Sequence, residues 1–145
     1  DRTQKCSDCQ NAERVAWITE WDGQYSFGKI IDSDTYTPSL TNGTNVASST
    51  AYLSQWSRIG NVVTVSGKVT INTTATGTTE MGMSLPVASN FGNEYELGGT
   101  AASEINSSTP VRILADAANN RASFSFDAGT TGIADYSFTF TYSVI

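Results

Sequence analysis

The sequence predicts an all-β protein: an antiparallel β-sandwich of jelly-roll type that follows a short N-terminal connector. The strongest observation is at 134–145, where Tyr136, Phe138, Phe140 and Tyr142 alternate with small polar residues. Successive side chains of a strand point to opposite faces, so this spacing predicts a long strand with one buried face. Turn signals separate several other alternating segments, and no long helical pattern interrupts them. Short antiparallel strands at such intervals are typical of sandwiches and jelly-rolls.

Residues 1–34 differ in composition from the rest and are predicted to form a connector or stem, with the β-sandwich head domain at 35–145. The connector holds Cys6 and Cys9, the two cysteines of the chain. A structural zinc site normally takes four protein ligands, and the chain has no further cysteine and no histidine. We therefore predict no metal site, and a disulfide at Cys6 and Cys9, formed locally or between chains.

The connector itself allows two structures, and the sequence does not choose between them. Segment 6–20 fits a short helix, whereas Val15, Trp17 and Trp21 fit one face of a strand. After it, the segment 32–34 is predicted to be a turn, because two Asp residues flank a Ser. A new strand register is expected from Thr35.

Two hairpins are predicted within the head domain. Segments 52–59 and 62–71 flank Gly60-Asn61, and a Gly-first two-residue loop is typical of a type II′ turn. Ile59 and Val62 are then cross-strand neighbours. Segments 111–115 and 122–126 form the second hairpin around Asn119-Asn120.

The remaining segments fill the space between these hairpins. Met81, Met83 and Leu85 form one face of a strand that Pro86 limits to its end or to an edge. Segment 90–99, rich in Gly, Asn and Glu, is predicted to be a connection, and 127–132 a turn into the last strand.

Charge restricts the partners of the chain. The formal net charge is −6 and the isoelectric point is near 4.4. Nucleic acids and anionic membrane surfaces bind proteins largely through Lys and Arg, which neutralise their phosphates. An acidic chain is therefore repelled by both. No apolar segment has the length that a membrane span requires. We expect neither a nucleic-acid partner nor membrane insertion.

The residues also argue against an enzyme and against a cofactor. Without histidine the chain lacks the commonest general base, the Ser-His-Asp arrangement and the commonest metal ligand. No Gly-rich phosphate loop precedes a Lys-Ser/Thr pair. The pairs Glu94/Glu96 and Asp127/Asp135 could serve a glycosidase, but acidic residues in loops are usually solvated. The prediction is a non-enzymatic protein.

Segment 90–99 is the best candidate for ligand binding. Tyr95 offers an aromatic face for a sugar ring, and Asn93, Glu94 and Glu96 offer hydrogen-bonding groups. A neutral glycan suits the acidic chain better than an acidic glycan. The aromatic residues Tyr36, Tyr52 and Trp56 could also stack on sugars, although core packing is the default for aromatics.

Several segments of the head domain carry a resemblance to a known family. They read Tyr-Thr-Pro-Ser-Leu-Thr-Asn at 36–42, Gln-Trp-Ser-Arg-Ile-Gly-Asn-Val-Val-Thr-Val-Ser-Gly at 55–67, Ser-Leu-Pro-Val-Ala-Ser-Asn-Phe at 84–91 and Phe-Thr-Phe-Thr-Tyr at 138–142. Residues 35–145 thereby resemble a C-terminal module of bacteriophage fibre, spike and related virion proteins. The resemblance implies a trimeric β-sandwich head displayed on the virion surface, outside the host cell. It includes no catalytic motif and does not extend into residues 1–34.

The expected function is therefore a virion surface protein, a fibre or spike head, that attaches to a host-cell glycan or protein. The expected partners are two further copies of the chain in a homotrimer, and other virion proteins through the N-terminal segment. The alternatives are a purely structural or decorative capsid protein, a secreted carbohydrate-binding module or adhesin, and a small glycan hydrolase.

Overall fold

The computed structural model describes residues 31–103, 105 and 110–145. Cys6, Cys9 and most of the predicted connector lie outside the described residues. The all-β antiparallel prediction is confirmed, and the described helical structure is the single 3-10 turn Glu94–Glu96. The strands are β1 (Ile31–Tyr36), β2 (Leu40–Asn42), β3 (Val46–Ala51), β4 (Ser54–Ile59), β5 (Val62–Thr73), β6 (Gly77–Met83), β7 (Leu97–Ser103), β8 (Val111–Asp116), β9 (Arg121–Ala128) and β10 (Gly132–Ser143).

All ten strands of the described residues belong to one hydrogen-bonded sheet. The order is β1-β4-β5-β10-β7-β8-β9-β6-β2, and β3 pairs with β5 alongside β4. Because β2 pairs with β6 while the next strand, β3, pairs with β5, the sheet must curl to bring its two flanks together. The pairing thus forms one curled sheet, where the sequence predicted the two facing sheets of a sandwich.

The terminal strand is central to this sheet, and the alternation of its aromatics correctly predicts a long strand with one buried face. It pairs with β5 over its whole length, from Gly132 opposite Thr73 to Ser143 opposite Val62, and with β7 on its other side. Tyr136 and Phe140 are each 1% exposed. Full burial of one such side chain stabilises the folded state by about 1.5–3 kcal/mol. The inner face of the curled sheet, on which these side chains lie, is the hydrophobic core. Valine, isoleucine, methionine, leucine and phenylalanine side chains of β5 to β9 complete it.

Both predicted hairpins are present. Ile59 lies opposite Val62, and Gly60 has φ of 62° while Asn61 does not have a positive φ, as a type II′ turn requires. In the second hairpin Asp116 lies opposite Arg121, and the connecting turn ends with Asn120 at φ of 53°.

The predicted turn at 32–34 is wrong. These residues lie inside β1, an exposed strand at the edge of the sheet that pairs with β4. The Asp side chains do make local hydrogen bonds, since Oδ1 of Asp34 accepts one from the amide of Thr35 at 2.7 Å. Edge strands commonly carry charged residues, so the same side chains are compatible with an extended backbone.

The predicted connection 90–99 is too long, because its last three residues begin β7. Gly99 lies opposite Phe140, and a Cβ on Gly99 would lie 2.5 Å from the Phe140 Cβ. Glycine here lets the two backbones and the aromatic side chain fit together. Glycine normally weakens a strand, so the local sequence conceals this element.

Asn45 joins the two flanks of the curled sheet. It lies between β2 and β3 with φ of 61°, and its Nδ2 donates to the Ala75 carbonyl and to Thr79 Oγ1, both at 2.8 Å. Its Oδ1 accepts from the Ala75 amide at 2.8 Å and from Thr74 Oγ1 at 2.6 Å. One side chain thereby fixes the β2–β3 turn against the β5–β6 turn.

Candidate ligand-binding site

The candidate residues Asn93, Glu94, Tyr95 and Glu96 lie together on the 3-10 turn that precedes β7. Asn93 has an extended backbone, with φ of −145°, and the chain extends again at Leu97. The turn buries none of its own residues, and Tyr95 is 75% exposed. The large aromatic ring is therefore presented to solvent.

Glu96 stabilises the turn. Its Oε1 accepts a hydrogen bond from the Gly92 amide at 3.0 Å, and its Oε2 accepts one from Asn93 Nδ2 at 3.1 Å. The Glu96 amide donates to the Asn93 carbonyl at 3.3 Å. The hydrogen bonds from Gly92 and then from the Asn93 side chain lower the pKa of Glu96. The side chains of Asn93 and Glu96 thus hold the backbone that carries Tyr95, while Glu94 is left exposed beside it.

Phe91 fastens the start of the turn to the core. Its ring is buried and meets the Tyr142 ring edge-on, with 5.8 Å between centroids. Its amide donates to Asn120 Oδ1 at 2.8 Å, and the neighbouring Asn90 amide donates to the Ile145 carbonyl at 3.3 Å. The turn is therefore attached to the second hairpin and to the end of β10.

The other aromatics considered from the sequence are less available. Tyr36 and Trp56 are half-buried against the core. The Lys68 Nζ lies 4.6 Å from the centroid of the Tyr52 ring, and the Tyr52 hydroxyl lies within hydrogen-bond distance of Thr70 Oγ1, at 3.2 Å. Among the aromatics that the structure describes, Tyr95 is the most exposed.

The carboxylates Asp127 and Asp135 are occupied by different partners on the outer face of the sheet. Asp135 accepts from Thr70 Oγ1 at 2.6 Å and pairs with Lys68 at 3.1 Å; the Thr70 hydrogen bond, followed by that of Lys68, lowers the pKa of Asp135. Asp127 accepts from Thr78 Oγ1 at 3.2 Å. Within the part of the chain that the structure describes, no group of three or more His, Cys, Asp or Glu residues could hold a metal ion.

Sequence reasoning missed a groove on the outer face of β6, β7, β8 and β9. It has a volume of about 680 Å³ and includes Arg112, Thr100, Ser125 and Asp127 in its lining. The available signal was the alternation of β8, which places Arg112 on the solvent face between the buried Val111 and Ile113. Only the pairing of the distant β7 with β8 shows what surrounds that guanidinium.

The described residues include no helix long and apolar enough to cross a membrane. Comparison of the chain with protein-family models, with curated proteins and with solved structures gives no match.

Proposed function

We propose that the chain is a non-enzymatic virion surface protein, the head of a phage fibre or spike, which attaches to a neutral glycan on the host cell through the turn at Tyr95. The observation that carries this proposal is the exposed Tyr95 ring on a backbone fixed by Glu96 and Phe91. Recognition residues concentrate on loops held by a rigid scaffold. A preordered turn also loses little conformational entropy when it binds.

The chemistry of the turn suits an uncharged sugar. An aromatic face stacks on the apolar face of a sugar ring, while the exposed carboxylate of Glu94 accepts hydrogen bonds from hydroxyl groups. The net charge of −6 disfavours an anionic ligand beside that carboxylate. The resemblance of residues 35–145 to virion fibre and spike modules supplies the biological setting.

A glycan array tests the site with two variants of one residue. Tyr95→Ala should reduce binding about tenfold, while Tyr95→Phe, which keeps the stacking ring, should retain most of it. Ile133→Ala serves as the matched control, since Ile133 is also exposed, at 67%, but lies on β10. The melting temperature of all three variants should match that of the wild type. A blank array for the wild type, or equal binding by Tyr95→Ala, would contradict the proposal.

The proposal includes assembly as a homotrimer. Sedimentation equilibrium of the full chain at micromolar concentration should then give three times the 15.5 kDa mass of the chain. A single species at the mass of one chain would contradict trimerisation.

A further inference from the structure

We propose that the outer groove of the sheet is a second binding site, specific for saccharides that carry a carboxylate, with Arg112 as its anchor. This site shares no residue with the Tyr95 turn and takes a different class of ligand. It goes beyond the proposed function, because it requires neither a virion setting nor a role for Tyr95.

The Arg112 side chain is available to a ligand. Lys68 and Arg121 pair with Asp135 and Asp116, at 3.1 and 2.8 Å. Arg112, by contrast, is exposed and has no carboxylate partner among the described residues. Its Nη2 makes one long hydrogen bond, of 3.5 Å, to Ser125 Oγ. Most of its five N–H donors therefore remain available to a ligand.

Hydroxyl and carboxylate groups lie around that guanidinium. Thr100 on β7 lies directly opposite Arg112, and Ser125 on β9 lies opposite it on the other side. Their hydroxyls can donate and accept hydrogen bonds. Asp127, two residues along β9 from Ser125, also lines the groove and provides an acceptor for sugar hydroxyls. The groove thus combines one guanidinium, the hydroxyls of Thr78, Thr100 and Ser125, and one carboxylate acceptor.

The arrangement suits a carboxylate, an anion with a single charge. The planar guanidinium presents paired N–H donors that match the two oxygens of a carboxylate, which gives a bidentate, charge-assisted contact. The exposed Glu80 lies beyond Ser125, two strands or about 10 Å from Arg112, and would repel a larger or more highly charged anion. In this groove the single carboxylate of a sugar binds the Arg112 guanidinium, and the hydroxyl groups of the sugar donate hydrogen bonds to Asp127.

The test is a calorimetric titration of the full chain with sialyllactose and with oligomers of glucuronic and galacturonic acid. Lactose is the neutral counterpart of sialyllactose. We expect at least one acidic saccharide to bind about tenfold or more tightly than lactose, and Arg112→Gln to abolish that preference. Arg112→Lys keeps the charge but loses the paired donors. Its affinity for the acidic saccharide should therefore lie between those of the wild type and Arg112→Gln.

Arg121→Gln is the matched control, since Arg121 lies in the same hairpin but is engaged by Asp116. It should leave the affinity for the acidic saccharide unchanged. The melting temperature of Arg112→Gln, an exposed position, should equal that of the wild type. The proposal is overturned if no acidic saccharide binds, if lactose binds equally, or if Arg112→Gln binds like the wild type. Loss of glycan binding by Tyr95→Ala does not bear on it.

Discussion

The hydroxyl of Tyr142 forms two hydrogen bonds with the backbone of Val87, donating to the carbonyl at 2.6 Å and accepting from the amide at 3.2 Å. Three residues earlier, the Ser84 carbonyl accepts a hydrogen bond from the Tyr36 hydroxyl at 3.0 Å. Tyrosines from β1 and β10 therefore hold the connection that leads from β6 to the Tyr95 turn. Such long-range bonds to backbone groups explain how an irregular segment keeps one conformation.

Tyr142→Phe should lower the free energy of unfolding by about 1–3 kcal/mol, because it leaves the amide and carbonyl of Val87 without their partner. Urea unfolding measures the change. Tyr95→Phe removes a hydroxyl from an exposed side chain and should have no measurable effect. Equal stability of the two variants would show that the Val87 contacts are unimportant.

Stability should fall at alkaline pH. Burial raises the pKa of Tyr142 to about 12, against the opposing effects of the Val87 hydrogen bond and of Arg58. Burial and the neighbouring Tyr142 raise the pKa of Tyr36 as well. An unfolded tyrosine has a pKa of about 10, so the native state binds these protons more tightly.

The free energy of unfolding should then be independent of tyrosine ionisation below about pH 10 and should decline above it, until the native tyrosines ionise. Each such tyrosine contributes at most about 1.4 kcal/mol per pH unit. Urea unfolding at several pH values from 8 to 11 measures the slope, which Tyr142→Phe should reduce but not remove. A slope that this substitution leaves unchanged would contradict the role of Tyr142.

Two adjacent glycines of β7 should respond very differently to alanine. A Cβ at Gly99 would collide with the Phe140 backbone and side chain, whereas a Cβ at Gly98 would meet nothing within 4 Å. Gly99→Ala should therefore destabilise the protein by about 3 kcal/mol or more, as severe overpacking does. Gly98→Ala should be neutral or stabilise slightly, because alanine restricts the unfolded chain. Thermal unfolding of both variants measures the difference in stability. Similar melting temperatures would contradict the close approach of Gly99 to Phe140.

Asn45 should be sensitive both to the loss of its side chain and to its backbone conformation. Asn45→Gly removes the four hydrogen bonds to residues 74, 75 and 79 but tolerates φ of 61°. Asn45→Ala loses the same bonds and adds about 1–2 kcal/mol of backbone strain. We expect both variants to be less stable than the wild type and alanine to be the worse. If alanine is no worse than glycine, the positive φ is not a constraint.

The sequence predicts those strands whose own residues carry the signal. The aromatic alternation of β10 and the Gly60-Asn61 turn are local patterns, and both correspond to what the structure describes. β7 is different, since Leu-Gly-Gly-Thr-Ala-Ala-Ser has little intrinsic strand preference. It is a strand because β10 and β8 pair with it on either side.

The two candidate sites also differ in how far the local sequence predicts them. The exposure of Tyr95 agrees with its position in a polar segment, so a local reading of the sequence could find that turn. The internal use of both Glu96 oxygens depends on the geometry of the turn, which composition does not reveal. The surroundings of Arg112 come from three strands that are separated in sequence, and no local pattern reports which residues become neighbours across a sheet.

The central position of β10 also bears on when this domain can fold. Of the ten strands it is the last to leave the ribosome, yet it supplies the shared partner of β5 and β7 and the largest aromatic contribution to the core. Until residues 132–143 emerge, β5 and β7 each lack a neighbour, and the inner face of the sheet stays open to water. Hairpins such as β4–β5 form early because their contacts are local, but cooperative folding of the whole sheet requires β10. Folding of the domain thus has to follow the synthesis of β10, and nascent chains that stop short of β10 expose unpaired strand edges that favour association with one another.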